Sequence, residues 1–159
     1  MSEPLKRLEF LIGKWRGRAD NQFGEKGVIE GTIDCTHDLG EKFIAMIGEA
    51  RTNGKLLHRA LTYLMWDSNI GKYVRKSLYS YGWILNEVGE FNGDRLTLDV
   101  ISTDGESDYF KGTRWRSYIH KYSPSEIGTG PEVAKRGRVF PPLWRAKVEE
   151  NLDYQSGSY

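Results

Sequence analysis

The sequence predicts an all-β fold: an antiparallel up-and-down β-barrel of about ten strands with a short N-terminal helical plug. Short segments in which polar and apolar residues alternate follow one another along the chain, the period of a half-buried strand. Tight-turn sequences separate them, including "HDLGE", "TNGK", "SNIGK", "FNGDR" and "TDGES", and no long helix intervenes. Evenly spaced strands joined by tight turns make a meander, and closing it into a barrel removes its exposed edges.

The first element is the plug. Residues 4–12, "PLKRLEFLI", place leucines at 5, 8 and 11 with Phe10 and Ile12, the spacing of one or two helical turns against a core. Gly13 ends it, because glycine adopts the backbone conformations a helix exit needs. Gly13, Trp15, Gly17 and Ala19 then alternate with Lys14, Arg16, Arg18 and Asp20, so a strand starts at once. Further strands are predicted over 27–36, 42–51, 56–66, 72–80, 83–91, 94–102, 109–121 and 143–151. Segment 123–142, "SPSEIGTGPEVAKRGRVFPP", reads as a long loop around at most one short strand, its "KRGR" as solvated charge. No repeat or second domain is visible, and 1–159 is read as one domain.

Composition narrows the function classes. The chain has 159 residues, enough for one substantial core. Its 23 basic and 22 acidic residues nearly cancel, so no net field draws it to nucleic acid or an anionic membrane. No apolar run approaches the ~20 residues of a membrane helix, and the first residues lack a signal-peptide pattern. One cysteine excludes an internal disulfide and suits a reducing compartment. A cytoplasmic protein is expected, with no nucleic-acid or membrane partner; oligomeric state is left open.

Four segments carry a resemblance: "LEFLIGKWRG", "GEKFIAMIGEA", "GKLLHRALTYLMWDSNIGKY" and "NGDRLTL". Together they resemble the calycin barrels, and within these the nitrobindin-type and uncharacterised lipocalin-like domains that share the fatty-acid-binding-protein fold. The resemblance spans roughly residues 5 to 150. It implies that Trp15 closes one end of the barrel against a basic residue of the last strand, with Arg145 the candidate. Trp15 is therefore read as structural, burying roughly 150–250 Å² where the barrel is sealed.

Candidate site residues follow from the Asn53-Gly54 turn. A two-residue loop pairs Thr52 with Lys55, and an unbroken ladder then sets Ala50 opposite Leu57 and Glu49 opposite His58. One face carries Phe43, Ala45, Ile47 and Glu49 with His58, Ala60, Thr62 and Leu64. Both faces are partly apolar, so pattern does not choose between them; the resemblance places the histidine of "GKLLH" on the cavity side. Glu49 and His58 would then form a cross-strand pair, either a polar anchor or acid/base for a ligand, or a satisfied histidine at a barrel rim. On the next strand Tyr73, Arg75, Ser77, Tyr79 and Tyr81 share a face that suits a ligand cavity, with Arg75 able to fork onto a carboxylate. The resemblance also places Tyr79 inward. Along 112–120, Trp115 and Ile119 are expected inward and Arg114 and Arg116 in solvent.

Cys35 and His37 share a face, but two ligands make no metal site. No G-x-S-x-G, phosphate loop, dinucleotide fingerprint or H-E-x-x-H is present. The expected function is binding of a small, mostly apolar ligand, with or without a carboxylate, through His58, Glu49, Arg75, Tyr73, Tyr79 and Thr62. The alternatives are an enzyme using Glu49 and His58, and the haem-dependent nitric oxide or peroxynitrite chemistry that the nitrobindin resemblance implies. That chemistry uses an axial histidine near the C-terminal end of the barrel. The only histidines here are His37, His58 and His120. No cofactor is expected: His120 falls on the solvent face with the arginines, and nothing in the spacing recommends Cys35 or Met46 as iron ligands.

Overall fold

The computed structural model describes residues 2–20, 27–105, 113–135, 138–139 and 146–151, with side chains for 2–20, 27–105 and 114–131. Two short turns come first, α1 (Glu3–Lys6) and a 3-10 turn (Glu9–Leu11). Eleven strands follow: β1 (Gly13–Asp20), β2 (Val28–Asp38), β3 (Phe43–Thr52), β4 (Lys55–Asp67), β5 (Lys72–Tyr79), β6 (Trp83–Asn92), β7 (Arg95–Gly105), β8 (Thr113–Ser123), β9 (Glu126–Lys135), β10 (Arg138–Val139) and β11 (Ala146–Asn151). Each of β1 to β9 pairs antiparallel with the next, and β11 lies between β9 and β1. The ladder therefore closes into an up-and-down barrel, and two-residue β10 pairs with the far end of β9.

The leucine triad plugs one end. Leu5, Leu8 and Leu11 are fully buried with Trp15, Ile44, Leu64, Tyr73, Leu96, Leu98, Ile119 and Ile127. Trp15 donates its indole N–H to the Leu11 carbonyl at 2.8 Å, so this large apolar side chain has no stranded polar atom. Tyr73 donates its hydroxyl to the Pro4 carbonyl at 2.8 Å and tethers the plug to β5. Close packing here demands a glycine: a Cβ on Gly89 would stand 1.8 Å from the Thr97 carbonyl oxygen.

Two sequence expectations are corrected. Segment 123–142 contains a ten-residue strand, β9, rather than at most a short one. Its Gly and Pro content masks it. Pro131 lies between the β11 pairing at residues 127–129 and the β10 pairing at 134–135, an interval where β9 has no second neighbour among the described residues. Proline is tolerated in such a stretch of edge.

The second correction is the register of the β3–β4 hairpin. Thr52 does pair with Lys55, and Arg51 with Leu56, but a bulge follows and Ala50 pairs with His58. That one-residue slip exchanges the faces of β3 relative to β4. Ile44, Met46, Gly48 and Ala50 accompany Leu64, Thr62, Ala60 and His58 inward, while Glu49 faces out opposite Arg59. The bulge reconciles two demands an unbroken ladder cannot meet: His58 and Leu64 inside, and Glu49 in solvent with its cations. Phe43, Ala45 and Ile47 are likewise outward, with Phe43 edge-on to Tyr63 at 6.0 Å.

Candidate functional site in the barrel interior

The strand register defines the interior as a set of cross-strand rows. Trp15, Ile33, Gly48, Ala60 and Tyr79 form one row, and Gly17, Gly31, Ala50 and His58 form the next, farther from the plug. Alternation in β1 to β4 thus brings the chain's smallest side chains onto one inner wall. Among the described residues, a Cβ on Gly31 would meet only the Glu49 carbonyl oxygen and one on Gly48 only that of Thr32, each at 3.7 Å. No described side chain from across the barrel approaches them. Gly31, Ile33, Gly48, His58 and Ala60 all face inward yet remain partly exposed. A packed core would leave such residues no accessible surface. The plug half is filled; the wall beyond it is not.

The opposite wall is polar and closely wired. Arg75 Nε donates to Glu87 Oε2 at 2.6 Å and Arg75 Nη2 to Glu87 Oε1 at 2.7 Å, a fork-to-fork pair with Glu87 only 1% exposed. Ser117 donates to Glu87 Oε1 at 2.7 Å and accepts from Arg75. Thr62 donates to Ser77 at 3.0 Å beside them. Burial works against the Arg75 charge, but Glu87's attraction and hydrogen bonds outweigh it and hold the guanidinium above its ordinary pKa. Burial pushes the Tyr79 hydroxyl up, with the Arg75 charge opposing, so Tyr79 stays a neutral phenol. Its ring lies edge-on to His58 at 5.7 Å, and the Tyr81 ring lies 5.9 Å from His58. Burial lowers the His58 pKa, which favours the neutral imidazole.

The expected site residues thus separate. His58, Thr62, Arg75 and Tyr79 share the interior, as does Tyr73, whose hydroxyl is committed to the plug. Glu49 does not join them: it bonds Arg51 at 3.4 Å and Arg59 at 3.3 Å on the outer surface. The Glu49–His58 pair is therefore not formed, and no acid/base role rests on it. Glu49 instead helps line an outer depression of about 500 Å³ with Arg16, Arg18, Glu30, Thr32 and Arg51. The carboxylate fork foreseen for Arg75 is occupied by the protein's own Glu87. Arg114 and Arg116 do lie outside, where Arg116 bonds Asp99 at 2.9 Å, while Ile119 is fully buried. Arg145 and the tail lie outside the described residues.

Glu87 and Ser117 were not singled out from sequence. A usable signal was there: Glu87 interrupts the face of Trp83, Leu85, Gly89 and Phe91, one strand after Arg75 interrupts an aromatic face. Opposite charges on the inward faces of neighbouring strands call for each other. The small inner wall had its signal too, in glycines at mid-strand.

Comparison with known proteins speaks to the fold. A crystal structure of Rv2717c from M. tuberculosis superposes with a TM-score of 0.72 over 94% of this chain and 98% of that one. Identity is 18%, so the likeness shows a β-barrel fold in common and carries no ligand or reaction with it. No family model and no curated protein matches the chain.

Among the described residues no three His, Cys, Asp or Glu side chains converge as a metal-binding group. Cys35 is buried in the core, and its thiol is pushed up to about 12, chiefly by burial. His37 lies 3.0 Å from Glu9 beside the plug, and His120 stacks edge-on with Tyr122 at 4.3 Å on the outer face. Residues 121–159 contain no histidine. None of the three histidines therefore lies in the last strands, where the nitrobindin resemblance implies an axial ligand. No helix among the described residues is long and apolar enough to cross a membrane.

Proposed function

We propose that this protein binds a small, mostly apolar molecule inside its barrel, between the small-residue wall of β1 to β4 and the aromatic and hydroxyl wall of β4 to β6. One observation carries the reading. The inner wall at Gly31 and Gly48 is partly exposed, and a Cβ at either would meet no described side chain within 4 Å, although the wall lies behind a tightly packed plug. Small barrels with such an interior hold one small ligand. Apolar walls provide most of the driving force, and Tyr79, His58, Thr62 and Ser77 provide hydroxyl and imidazole groups that orient the guest.

The test is a fluorescence titration with N-phenyl-1-naphthylamine, an uncharged probe that brightens in apolar surroundings. Saturable one-to-one binding, weakened at least ten-fold by Gly48→Leu with the fold intact by circular dichroism, is the expected result. Absence of saturable binding, or indifference to Gly48→Leu, would overturn the reading.

A further inference from the structure

We propose that the interior selects uncharged ligands and rejects carboxylates of the same chain length, because its buried cation is already neutralised by Glu87. This rests on the ligand-binding reading and names its ligand class. Arg75 and Glu87 are both buried on the inner face, where they face each other across β5 and β6. Two parallel hydrogen bonds join them, and Ser117 bridges both partners. The carboxylate thus occupies the guanidinium edge through which arginine forks onto an acid. A ligand carboxylate would have to displace Glu87, leaving that anion unpaired, or sit beside a pair of zero net charge. Either arrangement leaves one charge in a desolvated site without compensation. A cationic headgroup meets the same balance with signs reversed. What remains for a guest is neutral chemistry: the Tyr79 phenol, the Thr62–Ser77 hydroxyls and the His58 imidazole beside apolar wall.

The experiment is displacement of bound N-phenyl-1-naphthylamine at pH 7.5 by decanol, decanoate and decylammonium. For the unmodified protein, decanol is expected to displace the probe at a concentration at least ten-fold below either ion. Glu87→Gln leaves the Arg75 charge uncompensated, so decanoate should gain at least ten-fold relative to decanol while decylammonium gains nothing. Arg75→Gln leaves Glu87 uncompensated and should shift preference towards decylammonium. Equal displacement by decanol and decanoate in the unmodified protein would overturn the proposal and leave ligand binding standing. So would a folded Glu87→Gln protein with an unchanged decanoate-to-decanol ratio. If neither the probe nor decanol binds, the ligand-binding reading falls, and this inference with it. The comparison in the unmodified protein decides the matter even where a variant fails to fold.

Discussion

Replacing Gly48 by valine tests whether the barrel interior is hollow. Gly48 sits in the middle of β3 without positive φ, so a side chain meets no backbone strain there. A mid-strand glycine costs roughly 0.5–1 kcal/mol, because the unfolded chain loses more freedom at glycine on folding. Valine recovers that amount and suits the pleated surface. Its Cβ would have the Thr32 carbonyl oxygen at 3.7 Å as its only described neighbour, an ordinary contact. For a domain of this size 1 kcal/mol corresponds to roughly 2–4 °C, so the melting temperature should rise by about 1–4 °C. A packed interior gives the opposite sign: forcing in three carbons costs typically 1–3 kcal/mol and lowers the melt by roughly 2–12 °C. Thermal melts followed by circular dichroism separate these outcomes. Gly89→Val is the control and should unfold the protein or nearly so, since its Cβ would overlap the Thr97 carbonyl. A lower melting temperature for Gly48→Val would refute the hollow wall, whatever the probe titration shows.

Further expectations follow from the buried groups. Glu87→Leu should cost about 3–5 kcal/mol in urea melts by stranding Arg75, and Arg75→Met/Glu87→Leu should recover most of it; additive losses would refute the coupling. Because burial lowers the His58 pKa in the fold, the unfolded chain takes up that proton first. The associated stability is present above about pH 6.5 and is lost as pH falls towards the folded-state value. His58→Gln should flatten the decline of stability in that window, and an unchanged slope would refute it. Cys35, buried and raised to about 12, should resist an aromatic disulfide reagent until guanidinium unfolds the chain; labelling of the native protein would contradict its placement. Haemin titration should give no saturable one-to-one Soret band; one that His120→Ala abolishes would show His120 reaching a haem from the outer face.

The fold was legible because its cues are local. Leu5, Leu8 and Leu11 at helical spacing, a glycine, then Trp15 in strict alternation suffice to write a plug and a first strand. The Asn53-Gly54 turn likewise fixes Thr52 against Lys55, with Asn53 at φ 49° and Gly54 at φ 75°, as a two-residue hairpin loop requires. The error lay two pairs further along, at Ala50. Nothing in "EARTNGKLLHRA" marks Leu57 as the extra residue, because a bulge depends on what each face must meet across the barrel. Glu49 has Arg51 two residues away on its own strand, and the slip adds Arg59 to that ion-paired outer surface. Strand β9 was missed for a related reason. Its glycines and proline are poor strand formers alone, but β8 supplies a full ladder from Thr113 to Ser123 that overrides the local preference.

The site shows the same division between local and long-range information. Period-two alternation puts Arg75 and Tyr79 on one face and the resemblance turns Tyr79 inward, yet the chemistry of that face is set by residues 12 and 42 positions from Arg75. An arginine in a barrel reads from sequence as an anion receptor because its partner is unseen; with Glu87 placed, the same residue becomes part of a neutral wall. Glu87 carries the opposite lesson. A carboxylate that is almost completely buried is tolerable only where hydrogen bonds and a countercharge meet it, and Arg75 with Ser117 provide both. Removing either charge therefore changes which guests the interior admits as well as how stably it folds. The displacement series reads the first of these and the urea melts read the second, so a structural pair without influence on binding would show itself as a large stability loss with an unaltered preference.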